Sequence, residues 1–373
     1  MKIISIIIAI ILLICAPLTG IWIKGEQVSE YLYFPPKNLV LTIDHAPFSW
    51  LSFFIILALI ILVMAPFLKR VFSSLKTTPK KIHTGTGFPW WGWIGAIIMI
   101  AGWILAWTRF PWFSPLQAHT FSIPWIGFIV LVNALTFMRS GRSMITHQKK
   151  YLLLLFLFSA VFWWYFEYLN QFVENWYYVN VETLDRLEFT LYATLPFATV
   201  LPAVTGTRDL LLTFPRVSGG LDRFFRIPFK KPVRTAITGG LAATAALALT
   251  PLWPDYFFPM LWLAPLVIIA AIVVVIEPDA PAVKDITGGN LRNIYLLALA
   301  ALICGFFWEM WNYYSFTRWE YSVPFVNRYY IFEMPVLGYA GYLPFGLQCG
   351  LAAWIVQKMQ GKTAISGQLS EEY

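Results

Sequence analysis

Two acid–amide pairs pose the chemical question. Glu167 and Asn170 stand in FWWYFEYLNQFVENWYYV (162–179), and Glu309 and Asn312 stand in GFFWEMWNYYSFTRWEYSV (305–323). In each pair the residues are three apart, so on a helix they share one face. Both acids interrupt apolar, aromatic-rich sequence, where an ionisable group is costly and by default marks function. Glu188 and Glu333 follow, at the heads of LEFTLYATLPFATVLPAV (187–204) and FEMPVLGYAGYLPFGLQCGL (332–351). Carboxylates in unequal surroundings divide into a protonated acid and an ionised base. Such a set can protonate an alkene, activate a hydroxyl or assist group transfer. Glu167, Glu309, Glu188 and Glu333 are therefore the candidate catalytic groups. Asn170, Asn312, Trp164, Trp308, Trp176 and Trp319 are the candidate substrate contacts, since aromatic walls suit a cationic or polyene ligand.

A plainer reading competes. Asn and Glu near a helix end also fasten neighbouring helices, in contacts that average below about 1 kcal/mol in membranes. Trp and Tyr gather at membrane interfaces without any catalytic role. The two segments nevertheless match over a long stretch. Glu167 and Asn170 align with Glu309 and Asn312 at a common offset of 142 residues. Downstream, Glu188 aligns with Glu333, and Leu195-Pro196-Phe197 with Leu343-Pro344-Phe345. PWIGFIVLV (124–132) and LWLAPLVII (261–269) open the corresponding upstream segments. This self-similarity predicts an internal duplication, and four matched acids are more than packing needs.

The elements that position these residues are membrane helices. Of 373 residues, 59% are hydrophobic, 18% aromatic and only 12% charged, against about a quarter charged in soluble domains. Apolar runs recur at close to the ~20 residues that span a bilayer. They are continuous rather than alternating, which argues against a β-barrel. About ten spans are expected, near 3–23, 48–68, 89–108, 123–138, 151–172, 189–211, 235–253, 257–276, 293–314 and 333–357. Prolines interrupt the sixth (Pro196, Pro202) and the tenth (Pro335, Pro344), so these two are expected to be broken or partly re-entrant. The first apolar run reaches Ile23, too long for a signal-peptide core and without an A-x-A site, and reads as an uncleaved helix.

The fold class is an all-α polytopic membrane protein. Its parts are a two-helix N-terminal extension (1–86), a four-helix repeat (87–213), a basic linker (214–231), a second four-helix repeat (232–358) and a tail (359–373). An even number of spans per repeat makes the repeats parallel, related by an axis along the membrane normal. Only Lys24, Lys37, Arg109, Arg186, Arg318 and Arg328 fall on one side of this map, leaving 21 of the 27 Lys and Arg on the other. The positive-inside rule then puts both termini in the cytoplasm of a bacterial-type inner membrane. It places all four acids near the outer face, where pseudo-symmetry lets them converge on one cavity. Asp44, His45, His119, Glu182, Asp185 and Glu320 add polar groups on that side. The net charge of +8 is explained by basic cytoplasmic loops beside anionic lipid, with no nucleic-acid partner. The expected partners are membrane lipids and a lipid-like or small-molecule ligand; the oligomeric state is not legible.

No cofactor is specified. Four Glu and two Asn offer hard oxygen ligands that suit a divalent cation, but Asn stands where the Glu-x-x-His motif of di-iron bundles needs His. Cys15, Cys304 and Cys349 have no metal spacing and suggest no disulfide. No Ser-His-Asp set, HExxH or phosphate loop appears. The layout, two tandem membrane repeats carrying acids, is similar to that of fused lycopene cyclases and other isoprenoid-modifying enzymes. Their paired-acid signature beginning with proline is not found here, so the likeness transfers no residue role. Three readings follow: an enzyme acting on an amphipathic molecule, a transporter coupled to protons or cations, and a structural or assembly protein.

Overall fold

The computed structural model describes residues 3–36, 45–76, 85, 87–182 and 184–360. Lys37, Asp44, Lys80, Lys81 and the tail from 361 lie outside them. Fourteen helices are present among the described residues: α1 (Ile3–Lys24), α2 (Trp50–Ser74), α3 (Trp90–Trp107), α4 (Ser122–Ser140), α5 (Met144–His147), α6 (Lys149–Asn170), α7 (Arg186–Phe197), α8 (Val200–Leu212), α9 (Pro232–Leu249), α10 (Pro254–Phe257), α11 (Met260–Ile276), α12 (Pro281–Gly288), α13 (Arg292–Tyr313) and α14 (Tyr342–Met359). Four short strands, β1 (Trp176–Val179), β2 (Arg318–Tyr321), β3 (Tyr330–Ile331) and β4 (Met334–Pro335), form two antiparallel pairs and no closed sheet.

Eight helical segments are long and apolar enough to cross a membrane, and the bent α11–α12 pair, which turns by 101°, makes a ninth. The chain is thus helical and built for multiple membrane passages. The expectation of a broken sixth span meets only a short interruption at Ala198 and Thr199; 186–212 otherwise forms one apolar segment of 27 residues, and the sharp bend falls at α11–α12. The ten expected spans are thus eight or nine among the described residues, and the tenth is not among them. Its helix, α14, begins only at Tyr342, because 330–335 folds as the β3–β4 hairpin and 336–341 as a 3-10 turn.

Burial separates lipid-facing helices from the core. Only 6% of the apolar window of α2 and of α9 is buried, against 56% for α4 and α13. Apolar lipid gives no hydrophobic drive for helices to associate, so close packing and hydrogen bonds must do it. The α3–α4 contact shows the first: a Cβ on Gly127 would lie 2.3 Å from the Met99 nitrogen, so only glycine allows this approach. The main neighbours are α3 with α4, α9 with α11, α6 with α8, α13 with α14, α4 with α8, α11 with α14, α8 with α13 and α6 with α14. α1 packs on α9 and α11.

Hydrogen bonds sort the connections into two groups. In one, His45 bonds Asp255 (2.7 Å) and the Glu174 carbonyl (3.3 Å), Asn180 donates to Phe316 O (2.8 Å), and Thr317 donates to Ala118 O (2.8 Å). In the other, Arg70 donates to Gly220 O (2.9 Å), Arg139 to Thr213 O (2.9 Å), Arg292 to Ser218 Oγ (2.9 Å) and Lys358 to Glu277 (3.1 Å). The second group carries most of the basic residues and the first carries the candidate site.

This segregation predicts a labelling pattern. In a cysteine-free background, Glu182→Cys should react with a membrane-impermeant thiol reagent in intact cells, and Arg216→Cys only after permeabilisation, since the positive-inside rule expects the basic group in the cytoplasm. Reaction of Arg216→Cys in intact cells would invert the map and the depth assigned to the acids.

Candidate functional site

The two E-x-x-N segments end α6 and α13, and all four residues are buried: Glu167 is 1% exposed, Asn170 1%, Glu309 0% and Asn312 0%. A buried polar group must find partners, and both segments find them in the same way. Each Asn faces the strand that follows its own helix. Asn170 donates to Trp176 O (2.7 Å) and accepts from Asn175 N (2.9 Å). Asn312 donates to Trp319 O (2.7 Å) and accepts from Trp319 N (2.9 Å). Each amide thus folds the chain back over the helix end. The two strands then pair antiparallel, Trp176 opposite Tyr321, Tyr177 opposite Glu320, Tyr178 opposite Trp319 and Val179 opposite Arg318.

Each carboxylate collects donors from aromatic side chains. Glu167 Oε1 accepts from Trp163 Nε1 (2.9 Å), Trp176 Nε1 (3.1 Å) and the Tyr178 hydroxyl (2.6 Å). Glu309 Oε1 accepts from the hydroxyls of Tyr321 (2.8 Å) and Tyr342 (2.5 Å), and Trp319 Nε1 donates to the Tyr321 oxygen (2.8 Å). Glu309 Oε2 is buried with no hydrogen-bond partner among the described residues. The two acids therefore sit in related but unequal settings.

Between the two segments lies a cavity of about 80 Å³. A single water needs only about 10–15 Å³, so the space suits a ligand group. Its walls are aromatic: Trp163, Trp176, Trp262, Trp308 and Trp319, with Tyr178, Tyr192, Tyr321 and Tyr342, and Arg318 as the charged member. Gln348 holds Trp262 in place by donating to its carbonyl. Tyr342 fits because Gly305 faces it; a Cβ there would lie 2.4 Å from the ring. Arg318 is answered by Glu320 at 2.6 Å.

The candidate residues are thus redistributed. Trp176, Trp308 and Trp319 line the cavity, and Glu167 and Glu309 stand directly behind its aromatic wall. Asn170 and Asn312 hold backbone rather than facing the space. Trp164 turns away, donating to Thr194 Oγ1 at 2.9 Å. Glu188 is exposed and caps α7: its Oε2 accepts from Asp185 N (3.0 Å) while Asp185 Oδ1 accepts from Glu188 N (2.8 Å). The expectation that four acids converge on the cavity thus fails at Glu188, because Asp185-x-x-Glu188 is a capping box. Glu333 occupies the two-residue turn of the β3–β4 hairpin, partly buried. Burial, and then the charge of Glu320, pushes its carboxyl up from the usual range. His119 packs edge-on against Tyr192. Among the described residues, no group of three or more His, Cys, Asp or Glu is arranged to hold a metal.

Trp163, Trp262, Tyr192 and Tyr342 are not singled out by the sequence, and Tyr178 and Tyr321 only as tyrosines beside Trp176 and Trp319. Trp163 had a signal, since it lies one helical turn before Glu167. Tyr178 and Tyr321 had another, at 11 and 12 residues beyond their acids. Trp262 and Tyr342 arrive from other helices and had none.

Two substitutions test the geometry. Asn312→Ala strands the Trp319 N–H and C=O, at a cost on the order of 1–3 kcal/mol for each buried unpaired group. It should lower the melting temperature of the detergent-solubilised protein clearly; an unchanged transition would mean that the amide is not holding the strand. Gly305→Ala should displace the Tyr342 ring, an overpacking cost of about 1–3 kcal/mol. Melting identical to the wild type would contradict the close ring contact.

No protein-family model, no curated protein and no solved structure matches this chain, so its chemistry is read from its own geometry.

Proposed function

We propose that this chain is an integral inner-membrane protein whose aromatic cavity takes in an amphipathic, lipid-like molecule and modifies it by acid–base chemistry through Glu167 and Glu309. One observation carries the reading. Trp163, Trp176, Tyr178, Tyr321 and Tyr342, which donate to the two carboxylates, also line the cavity. A ligand in the cavity therefore touches groups one hydrogen bond from a buried acid. A tyrosine hydroxyl so placed can take a proton from the ligand while passing its own to the carboxylate that it donates to.

The reading includes two parallel repeats, 87–213 and 232–358, with both termini in the cytoplasm. Matching α3, α4, α6 and α8 to α9, α11, α13 and α14 turns the neighbour pairs α3–α4, α4–α8, α6–α8 and α8–α13 into α9–α11, α11–α14, α13–α14 and α14–α6, all of which occur. The β1–β2 register supports the same exchange. With Trp176 matched to Trp319 and Tyr178 to Tyr321, swapping the strands reproduces the ladder, as a two-fold axis through the Tyr177–Glu320 pair does.

A second reading, proton- or cation-coupled transport, draws on the helix discontinuities. The short α7–α8 interruption and the non-helical segment before α14 both adjoin the cavity, and broken helices often frame transporter sites. The site's place among the outer-end connections, rather than at the midplane, favours the fixed-site enzyme. The third reading, assembly, needs no cavity.

The separating experiment replaces the acids by their amides. Glu167→Gln and Glu309→Gln keep the acceptor oxygen and the shape but cannot ionise. Both variants should reach near-normal yield and melting temperature, yet fail to complement a deletion strain. Glu309→Gln should have the larger effect, because Glu309 is the acid with an unpartnered oxygen. Full complementation by the double variant would leave only the assembly reading. Complementation lost together with substrate flux into proteoliposomes would replace the enzyme by the transporter.

A further inference from the structure

We infer that the group seated in the aromatic cavity is a cation, the ammonium end of an amphiphile; this rests on reading the cavity as a ligand site and names the chemistry of its occupant.

The first argument is the polarity of the walls. An aromatic ring attracts a cation through its negative face. Six rings of this cavity belong to the carboxylate network. Trp163, Trp176 and Tyr178 donate to Glu167, Tyr321 and Tyr342 donate to Glu309, and Trp319 donates to Tyr321. An N–H or O–H that donates to an anion sends electron density back into its ring, which makes the face more attractive to a cation. The cavity is lined by the rings that gain most from the carboxylates behind them.

Charge is the second argument. Arg318 is the charged side chain in the wall, and Glu320 neutralises it at 2.6 Å. Glu167 and Glu309 lie a further hydrogen bond outside the wall. An anionic headgroup would meet the ionised member of the pair across a medium that screens poorly; a cation would be attracted by it.

The third is that the donors of these six rings are spent, although Arg318 Nε in the same wall is buried without a partner among the described residues. The indole N–H and hydroxyl groups of those six rings are already committed. What they present to a ligand is ring face, which suits hydrocarbon or cation and serves a carboxylate or phosphate badly. A hydrocarbon alone does not need two buried acids, each of which costs desolvation.

The test uses the purified full-length protein in a non-ionic detergent, with choline as probe and 3,3-dimethylbutan-1-ol as its neutral isostere, followed by tryptophan fluorescence. Choline should bind about ten-fold more tightly than the isostere. Of Glu167→Gln and Glu309→Gln, the one that replaces the ionised member should remove most of that preference while leaving the isostere's affinity unchanged. Trp319→Leu, at a partly exposed position, should weaken choline even if a Gln variant fails to fold. Equal affinity for the two probes would overturn the cation assignment, as would binding of neither, or choline binding that survives all three substitutions. Loss of complementation by the Gln variants together with equal probe affinities would discard the cation and keep the acid–base site.

Discussion

The burial of two carboxylates inside an apolar helix bundle is the constraint on which the rest of this structure depends. An isolated carboxylate in such a place is far too costly to persist. It must collect hydrogen-bond donors without bringing in more unpaired polar atoms. Trp and Tyr meet that demand, because each contributes a single polar handle on a large apolar body. The 18% aromatic content then has a local purpose beyond anchoring at interfaces. Around Glu167 and Glu309 the same side chains fill the bundle, satisfy the acids and wall the cavity.

The two halves solve this problem unequally, and the difference is compensated. At the shared offset of 142, Trp163 corresponds to Gly305; through the Leu-Pro-Phe match, Thr194 corresponds to Tyr342. In the first half the large ring sits on α6 and reaches Glu167 from one turn away. In the second half the helix carries glycine, and the large ring comes from α14 into the space so left, reaching Glu309 from another helix. On the proposed duplication, bulk has crossed from one helix to its neighbour while a donor to the carboxylate was kept. Packing alone would preserve the bulk; only a requirement at the acid would also preserve the donor.

Several parts of this arrangement were legible in the sequence. The membrane helices follow from continuous apolar runs, and the short interruption at α7–α8 from Pro196 and Pro202. The common fate of Glu167 and Glu309 follows from their matched surroundings. The roles of the amides did not follow. Asn170 and Asn312 share a helix face with the acids, which suggested a common ligand, but each side chain turns to the strand beyond its own helix. The strands were hidden because Trp-Tyr stretches at a helix end read equally well as an interfacial belt. Glu188 was misjudged for a different reason: Asp185-x-x-Glu188 is a local capping signal, and the long-range match to Glu333 outweighed it. Trp262 and Tyr342 depend on which helices become neighbours, and no spacing along the chain encodes that.

The β1–β2 ladder gives the acids their relation to one another. Without it, each E-x-x-N would end its own helix, and the donors Tyr178 and Tyr321 would be free to move independently. Pairing Tyr178 with Trp319 and Trp176 with Tyr321 interleaves the donors of one acid with those of the other. A displacement of either strand then disturbs both carboxylates at once. The two acids therefore share one aromatic lattice, anchored by Asn170 at one end and Asn312 at the other. A ligand that spreads the rings of one half must act on the hydrogen bonds of the other. The unequal settings of Glu167 and Glu309 are in this way held in a fixed relation, which is what opposed acid and base roles require.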